Sequence, residues 1–233
     1  MNKTTIEWTD WTWNPLTGCR STPVQCAVAD HCYARRTAKR LAGRVGYPPS
    51  PYEFEPTFHP ERLEEPYKLK KPSKIFVCSM GELFGHWVWK QWQDEILKVV
   101  QENPQHIFQF LTKFPPAPAK FRFPPNAWLG VTVNEKFDVG RIQRLNEIKY
   151  VHSFHNWGNL LTFVSAEPLL GPLYNAPLHD VSWLILGAQT NPRRQPKDDW
   201  VKALLADADH YGIPIFMKDN LDYQPRRREW PDA

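Results

Sequence analysis

An α/β fold is what this sequence predicts, and three observations predict it. Six short apolar runs, of strand length and rich in β-branched or aromatic residues, recur along the 233 residues. They are near-continuously apolar rather than alternating, as strands buried on both faces are. Helical patterns separate several of them, and repeated strand–helix units imply a parallel sheet, open or curled into a barrel.

The elements follow in order. An aromatic segment, residues 6–13 with Trp8, Trp11 and Trp13, counts as strand one, and the turn-prone stretch Asn14, Pro15, Leu16, Thr17, Gly18 follows it. A basic helix is expected over 30–42, with Asp30 as N-cap and Gly43 past its end. The apolar runs are residues 75–79, 107–112, 128–133, 161–165, 181–186 and 213–217, giving about seven strands with the first. Helices are expected over 87–102, 138–149 and 197–211. In the first of these, Trp89, Trp92, Ile96 and Val99 fall at helical spacing, which reads as core packing. Long loops follow strand one and strand three: residues 43–72, and the proline-rich 114–127, where proline forbids a full helix. Ordered loops of that length are often lids or binding surfaces.

Bulk properties narrow the classes. The length fits one domain, 1–233. The net charge of +4 permits a polyanionic partner without demanding one. Four cysteines are too sparse for a disulfide scaffold. With no apolar leader and no long apolar run, neither a signal peptide nor a membrane span is expected, and a reducing cytoplasm is the expected compartment.

Three cysteines stand close together, Cys19, Cys26 and Cys32, spaced Cys-x6-Cys-x5-Cys. Clustered thiolates of this kind hold either an iron–sulfur cluster or zinc. An odd triplet leaves one position open for chemistry if the metal unit takes four ligands. His31 or Asp30 would be the fourth ligand of a structural zinc site. Such a site belongs to the alternative class, a zinc-stabilised nucleic-acid-binding protein without catalysis. Cys78 lies inside an apolar run and reads as core.

In α/β folds reactive residues collect at the C-terminal ends of strands. The tips here are polar: Ser79 and Glu82, Thr112 and Lys113, Asn134 and Glu135, Ser165 and Glu167, Gln189 and Asn191, Lys218 and Asn220. Apolar strands that all finish this way suggest one convergent polar site.

An ordered series of motifs carries a resemblance over nearly the whole chain. It includes Thr5-Ile6-Glu7-Trp8-Thr9-Asp10, Trp13-Asn14-Pro15-Leu16-Thr17-Gly18-Cys19 and Cys32-Tyr33-Ala34. It continues through His59-Pro60-Glu61-Arg62-Leu63, Ile75-Phe76-Val77-Cys78-Ser79-Met80, Leu111-Thr112-Lys113 and Trp128-Leu129-Gly130-Val131. Ser165-Ala166-Glu167-Pro168-Leu169-Leu170-Gly171 and the Gly187 and Lys218 tips complete it. In these the chain resembles a phage-associated, uncharacterised three-cysteine family related to radical S-adenosylmethionine enzymes. The family's pattern has two residues between its second and third cysteines, whereas five stand here, Ala27 to His31.

The resemblance implies a partial (β/α)6-type barrel. It implies that Cys19, Cys26 and Cys32 ligate a [4Fe–4S] cluster whose fourth iron chelates S-adenosyl-L-methionine. One-electron reduction, supplied by a reductant protein, would then give a 5′-deoxyadenosyl radical that abstracts hydrogen from a substrate. It also implies that Ser79, Met80, Gly81 and Glu82 bind the methionine amino group, with Glu82 accepting the ammonium. Ser165 and Glu167 would meet ribose or carboxylate. Lys113, Gln189 and Lys218 would contact carboxylate or substrate. A basic stretch, Arg35, Arg36, Lys39, Arg40 and Arg44, adjoins the cysteines, and Arg193, Arg194 and Arg226 to Arg228 add further charge. Interleaved with aromatics, such charge suits a nucleic acid or nucleotide substrate.

Overall fold

A computed structural model of the chain describes residues 1–232. The chain divides into two compact units. The first comprises residues 1–114 and 123–127, and the second comprises 115–122 and the chain from Trp128 onward. In both, parallel strands alternate with helices, the α/β class expected of a partial barrel.

The first unit contains β1 (Asn2–Lys3), β2 (Trp11–Trp13), β3 (Leu16–Thr17), β4 (Thr57–Phe58), β5 (Lys74–Val77) and β6 (Ile107–Thr112), with α1 (Tyr33–Leu41) and α2 (Lys90–Glu102). Strands β2, β5 and β6 run parallel, with Trp13 beside Val77 and Val77 beside Phe110. Antiparallel β1 closes one edge against β2. Leu16 pairs with Phe58 in the separate β3–β4 ribbon. Trp13 is fully buried, its ring edge-on to Phe108 at 5.8 Å, and its indole N–H donates to the Arg62 carbonyl at 2.8 Å. A buried tryptophan thus keeps its polar handle satisfied.

Helix α2 buries Ile96, Leu97, Val99 and Val100. Its tryptophans depart from the expected core stripe. Trp89 is 68% exposed and precedes the helix as its N-cap. It stacks on Trp92, which stacks in turn on Phe58, so the pair climbs outward from the core. Asp30 departs as well. It lies in a one-turn 3-10 helix, Ala29–His31, and the N-cap of α1 is Cys32. The five residues between Cys26 and Cys32 are wound into successive turns. Ala29 N–H donates to Cys26 O at 3.0 Å, His31 to Val28 at 3.0 Å, and Cys32 to Ala29 at 3.4 Å.

The second unit contains β7 (Ala127–Thr132, in this unit from Trp128), β8 (Leu161–Ala166), β9 (Trp183–Leu186), the hairpin β10 (Gln189–Thr190) with β11 (Arg193–Arg194), and β12 (Ile215–Met217). Helices α3 (Gly140–Phe154) and α4 (Asp198–Tyr211) accompany them. Strands β7, β8, β9 and β12 pair in that order, all parallel, and every residue of β8 and β9 is buried. Trp183 lies at the centre, against Trp128, Phe163 and Phe216. Residues 114–127 contain no helix, as their prolines require.

The tail protects the edge of β12. Ile215 and Glu229 exchange backbone and side-chain hydrogen bonds at 2.8 and 2.9 Å, and Trp183 donates to the Glu229 carbonyl at 2.9 Å. Hydrogen bonds from Arg227 hold the Glu229 carboxyl below its ordinary value of 4.5. A depressed carboxyl stabilises the fold above its unfolded value and loses that contribution as pH falls through the folded one. Glu229→Gln should therefore cost about 1 kcal/mol at neutral pH, since the pair is half-exposed. In urea melts the difference from the parent should shrink as pH falls below 4.5 and vanish once the folded carboxyl is protonated, and a pH-independent difference would refute the assignment.

Candidate functional site

The site is built where β2 and β5 end. After β3 the chain passes Gly18, whose N–H donates to the Met80 carbonyl at 2.9 Å and whose carbonyl accepts from Glu82 N–H at 3.1 Å. Gly18 and Gly81 form a parallel bridge. Gly18 has φ +88°, and a Cβ there would lie 2.3 Å from the Glu55 carbonyl oxygen, so no other residue fits. Cys19 follows, its N–H bonded to Phe54 O at 3.0 Å. On the other side, Asn14 Oδ1 accepts from Met80 N–H at 2.9 Å and Ser79 Oγ at 3.2 Å, which fixes the turn after β5.

These constraints bring Cys19, Cys26 and Cys32 to a cavity of about 110 Å³. Ser21, Tyr33, Arg35, Phe54, Ser79, Gly81, Glu82 and Lys113 also line it. Burial pushes the Cys19 thiol up, while Ser21 opposes the shift. Its N–H donates to the sulfur at 3.3 Å, and its hydroxyl lies 3.0 Å away. Glu82 is buried, and that burial raises its carboxyl. Thr112 Oγ1, Lys113 N–H at 3.1 Å and Phe84 N–H at 3.3 Å donate to its two oxygens and oppose the rise.

Of the residues predicted from sequence, Cys19, Cys26, Cys32, Ser79, Gly81, Glu82 and Lys113 meet at this cavity. Met80 does not line it. It packs instead against the cluster of Ala34, Ala38, Tyr47 and Phe54, which also receives Cys19 and Cys32. His31 and Asp30 are exposed and outside the lining, so neither is placed as a fourth ligand. Cys78 is buried away from it, its thiol pushed up by burial to about 12.

Ser165, Glu167, Gln189 and Lys218 lie in the second unit, at or just beyond the ends of β8, β9 and β12. Glu167 pairs with Lys218, and both pack on Gly187, where a Cβ would stand 2.9 Å from Glu167 Cγ. The Ser165 hydroxyl is fully buried with no hydrogen-bond partner. Gln189 instead donates to the Asn191 carbonyl within its hairpin.

Sequence reasoning missed Asn14, Tyr33 and Phe54 as parts of this site. Tyr33 donates its hydroxyl to the Ser79 carbonyl, and Arg35 lies over the Phe54 ring at 4.8 Å. Tyr33 adjoins Cys32 and Asn14 begins the Asn14-Pro15 turn, whereas nothing around Phe54 marks it.

The family of proteins of unknown function DUF5131 matches residues 3–230. The chain belongs to that family. No curated protein matches it, and no solved structure does.

The donor chemistry fits a thiolate-ligated metal group. Three thiols face one cavity, with two polar groups of Ser21 on one sulfur. The cage is not preformed. Among the described residues, no three His, Cys, Asp or Glu side chains are gathered at coordination spacing. Ligation by these three thiols would have to draw the 20–31 loop in, as is common where metal binding and ordering are coupled. Among the described residues, no helix is long and apolar enough to cross a membrane.

Proposed function

We propose that this chain is a radical S-adenosylmethionine enzyme, related to the three-cysteine family its motifs resemble, and that it acts on a nucleic acid or nucleotide. The observation that carries the reading is the meeting of Cys19, Cys26 and Cys32 with Ser79, Gly81, Glu82 and Lys113 around one cavity beyond the parallel strands. Cys19, Cys26 and Cys32 would hold the cluster. A [4Fe–4S] group with one iron lacking a protein ligand supplies a chelation point for the amino-acid end of S-adenosyl-L-methionine and an electron for its sulfonium.

The chain's own residues would bind and orient that cofactor. Glu82 is held in place by three donors, and an ammonium arriving beside a buried carboxyl favours its charged form. Its position suits the methionine ammonium. The Ser79 hydroxyl is aimed by Asn14, and Lys113 offers a cation at the same cavity. Gly81 lets its backbone meet that of Thr17 and Gly18, and Gly18 lets the chain pass the 54–55 backbone, without a Cβ in the way. A one-electron reductant protein is the implied partner.

Anaerobic reconstitution with iron and sulfide tests the reading, followed by S-adenosyl-L-methionine and a reductant. The expected result is about four irons per chain and release of 5′-deoxyadenosine. Stoichiometric zinc, with no sulfide and no cleavage, would overturn it and favour a structural metal site.

A further inference from the structure

Helix α1 carries Arg35, Arg36, Lys39 and Arg40, all exposed, while Ala34 and Ala38 face the core. Cations in the last turn, here Lys39 and Arg40, suit the helix dipole and need no function. Arg35 and Arg36 stand in the first turn, where the dipole disfavours them, and no acidic residue is there to offset it. Some exposed cations elsewhere pair with carboxylates, among them Arg20 with Glu55, Lys90 with Asp94 and Arg144 with Glu147. The α1 group does not. Arg35 sits over Phe54, Arg40 donates to Thr37 and Arg44 to the Arg40 carbonyl. Among the described residues none of the five is paired with a carboxylate.

These side chains border an open groove of about 620 Å³, lined by Tyr33, Arg36, Thr37, Lys39 and Arg40. Tyr33, 52% exposed, also lines the cysteine cavity. Its hydroxyl is tied to the Ser79 carbonyl, which anchors the ring where groove and cavity meet. We propose that this groove binds a single strand of nucleic acid, its phosphates along Arg36, Lys39 and Arg40 and one base stacked on Tyr33.

Charge and shape select that occupant. Residues three and four apart on a helix are neighbours, so Arg36, Lys39 and Arg40 form one continuous cationic track. A polyanion with regularly spaced charges complements it. An aromatic face at the end of a cationic track is the arrangement that holds unstacked bases. A duplex keeps its bases stacked and offers none to Tyr33. A membrane surface would need several apolar side chains on the exposed face of α1, and that face offers only the Tyr33 ring among its cations. The proposal rests on the enzyme reading only for what happens to a base that reaches the cavity. Binding itself needs no cluster.

The test is fluorescence anisotropy of a labelled poly-dT or poly-U strand of about 16 nucleotides, on the full chain before and after reconstitution. Replacing Arg36, Lys39 and Arg40 together by glutamine should weaken binding at least tenfold and lower the salt slope by about 2. Tyr33→Leu should cost about fivefold, while Tyr33→Phe, which keeps the ring and loses only its tie to the Ser79 carbonyl, should cost less than Tyr33→Leu. Arg144→Gln, on α3, is the control and should change nothing. The proposal fails if the parent does not bind, or if the control loses as much as the triple variant. It fails equally if a duplex or polyglutamate binds as tightly as the strand. Strand binding without iron uptake would sink the enzyme reading alone, and iron uptake without strand binding would sink this one alone.

Discussion

Replacing Cys19, Cys26 or Cys32 by alanine should each abolish cluster uptake, taking iron from about four per chain to a trace and ending S-adenosyl-L-methionine cleavage. The apo fold should change by less than ~1 kcal/mol, because these residues lie on a loop and beside a short helix rather than inside the sheet. Cys78→Ala is the contrasting case. Its thiol is buried at the end of β5, held by burial at about 12, and so stays protonated at neutral pH. That variant should load iron normally while losing about 1 kcal/mol of stability to the small cavity it leaves. Metal and sulfide analysis after reconstitution decides the matter. Iron retained in all three loop variants, or lost in Cys78→Ala alone, would mean that the wrong cysteines have been assigned.

The contrast between those cysteines was legible in the sequence, because burial follows from the company a residue keeps. Cys78 sits among Ile75, Phe76 and Val77, and a run apolar on both faces has nowhere to be except inside. The same logic located β6 at residues 107–112, and β5, β7 and β8 within a few residues. Boundaries failed where local chemistry offered two candidates. Asp30 is a good N-cap by type, yet the longer loop before Cys32 winds into a 3-10 turn of its own and leaves Cys32 to start the helix. Trp89 fits a helical stripe by spacing but falls just before the first turn, where its ring is carried outward.

The candidate site was legible in part for a related reason. Strand tips can be read one at a time, and four residues from two of them, Ser79, Gly81 and Glu82 after β5 and Lys113 after β6, do meet the cysteines at the cavity. What holds them there cannot be read so. Asn14 fixes the Ser79 turn across 65 residues, Tyr33 reaches the Ser79 carbonyl across 46, and Phe54 holds Cys19 from a loop with no distinctive pattern. Each is an ordinary residue type whose role exists only once the chain has folded. Glycine is the exception, since its conformational freedom marks it even before its partners are known.

Gly18→Ala should therefore be the most damaging single-methyl change in the first unit. The residue has φ +88°, which costs an alanine about 1–2 kcal/mol by itself. The added Cβ would also fall 2.3 Å from the Glu55 carbonyl oxygen and 2.7 Å from that of Phe54. Neither oxygen can retreat cheaply, because Phe54 O accepts from Cys19 N–H and Gly18 itself is tied at both ends to Met80 and Glu82. A loss of ~3 kcal/mol or more is expected, about 10 °C in Tm for a chain of this size. Gly43 and Gly212 supply the control, with φ of +71° and +66° and nothing within 4 Å of a Cβ. Alanine there should cost about 1 kcal/mol, the backbone strain without the collision. Urea melts of the three variants separate the two terms, and equal losses at Gly18 and Gly43 would show that the 54–55 backbone yields after all. Should it hold, Gly18→Ala would also lose iron at temperatures where the variant is still folded, since the displaced loop is the one that carries Cys19.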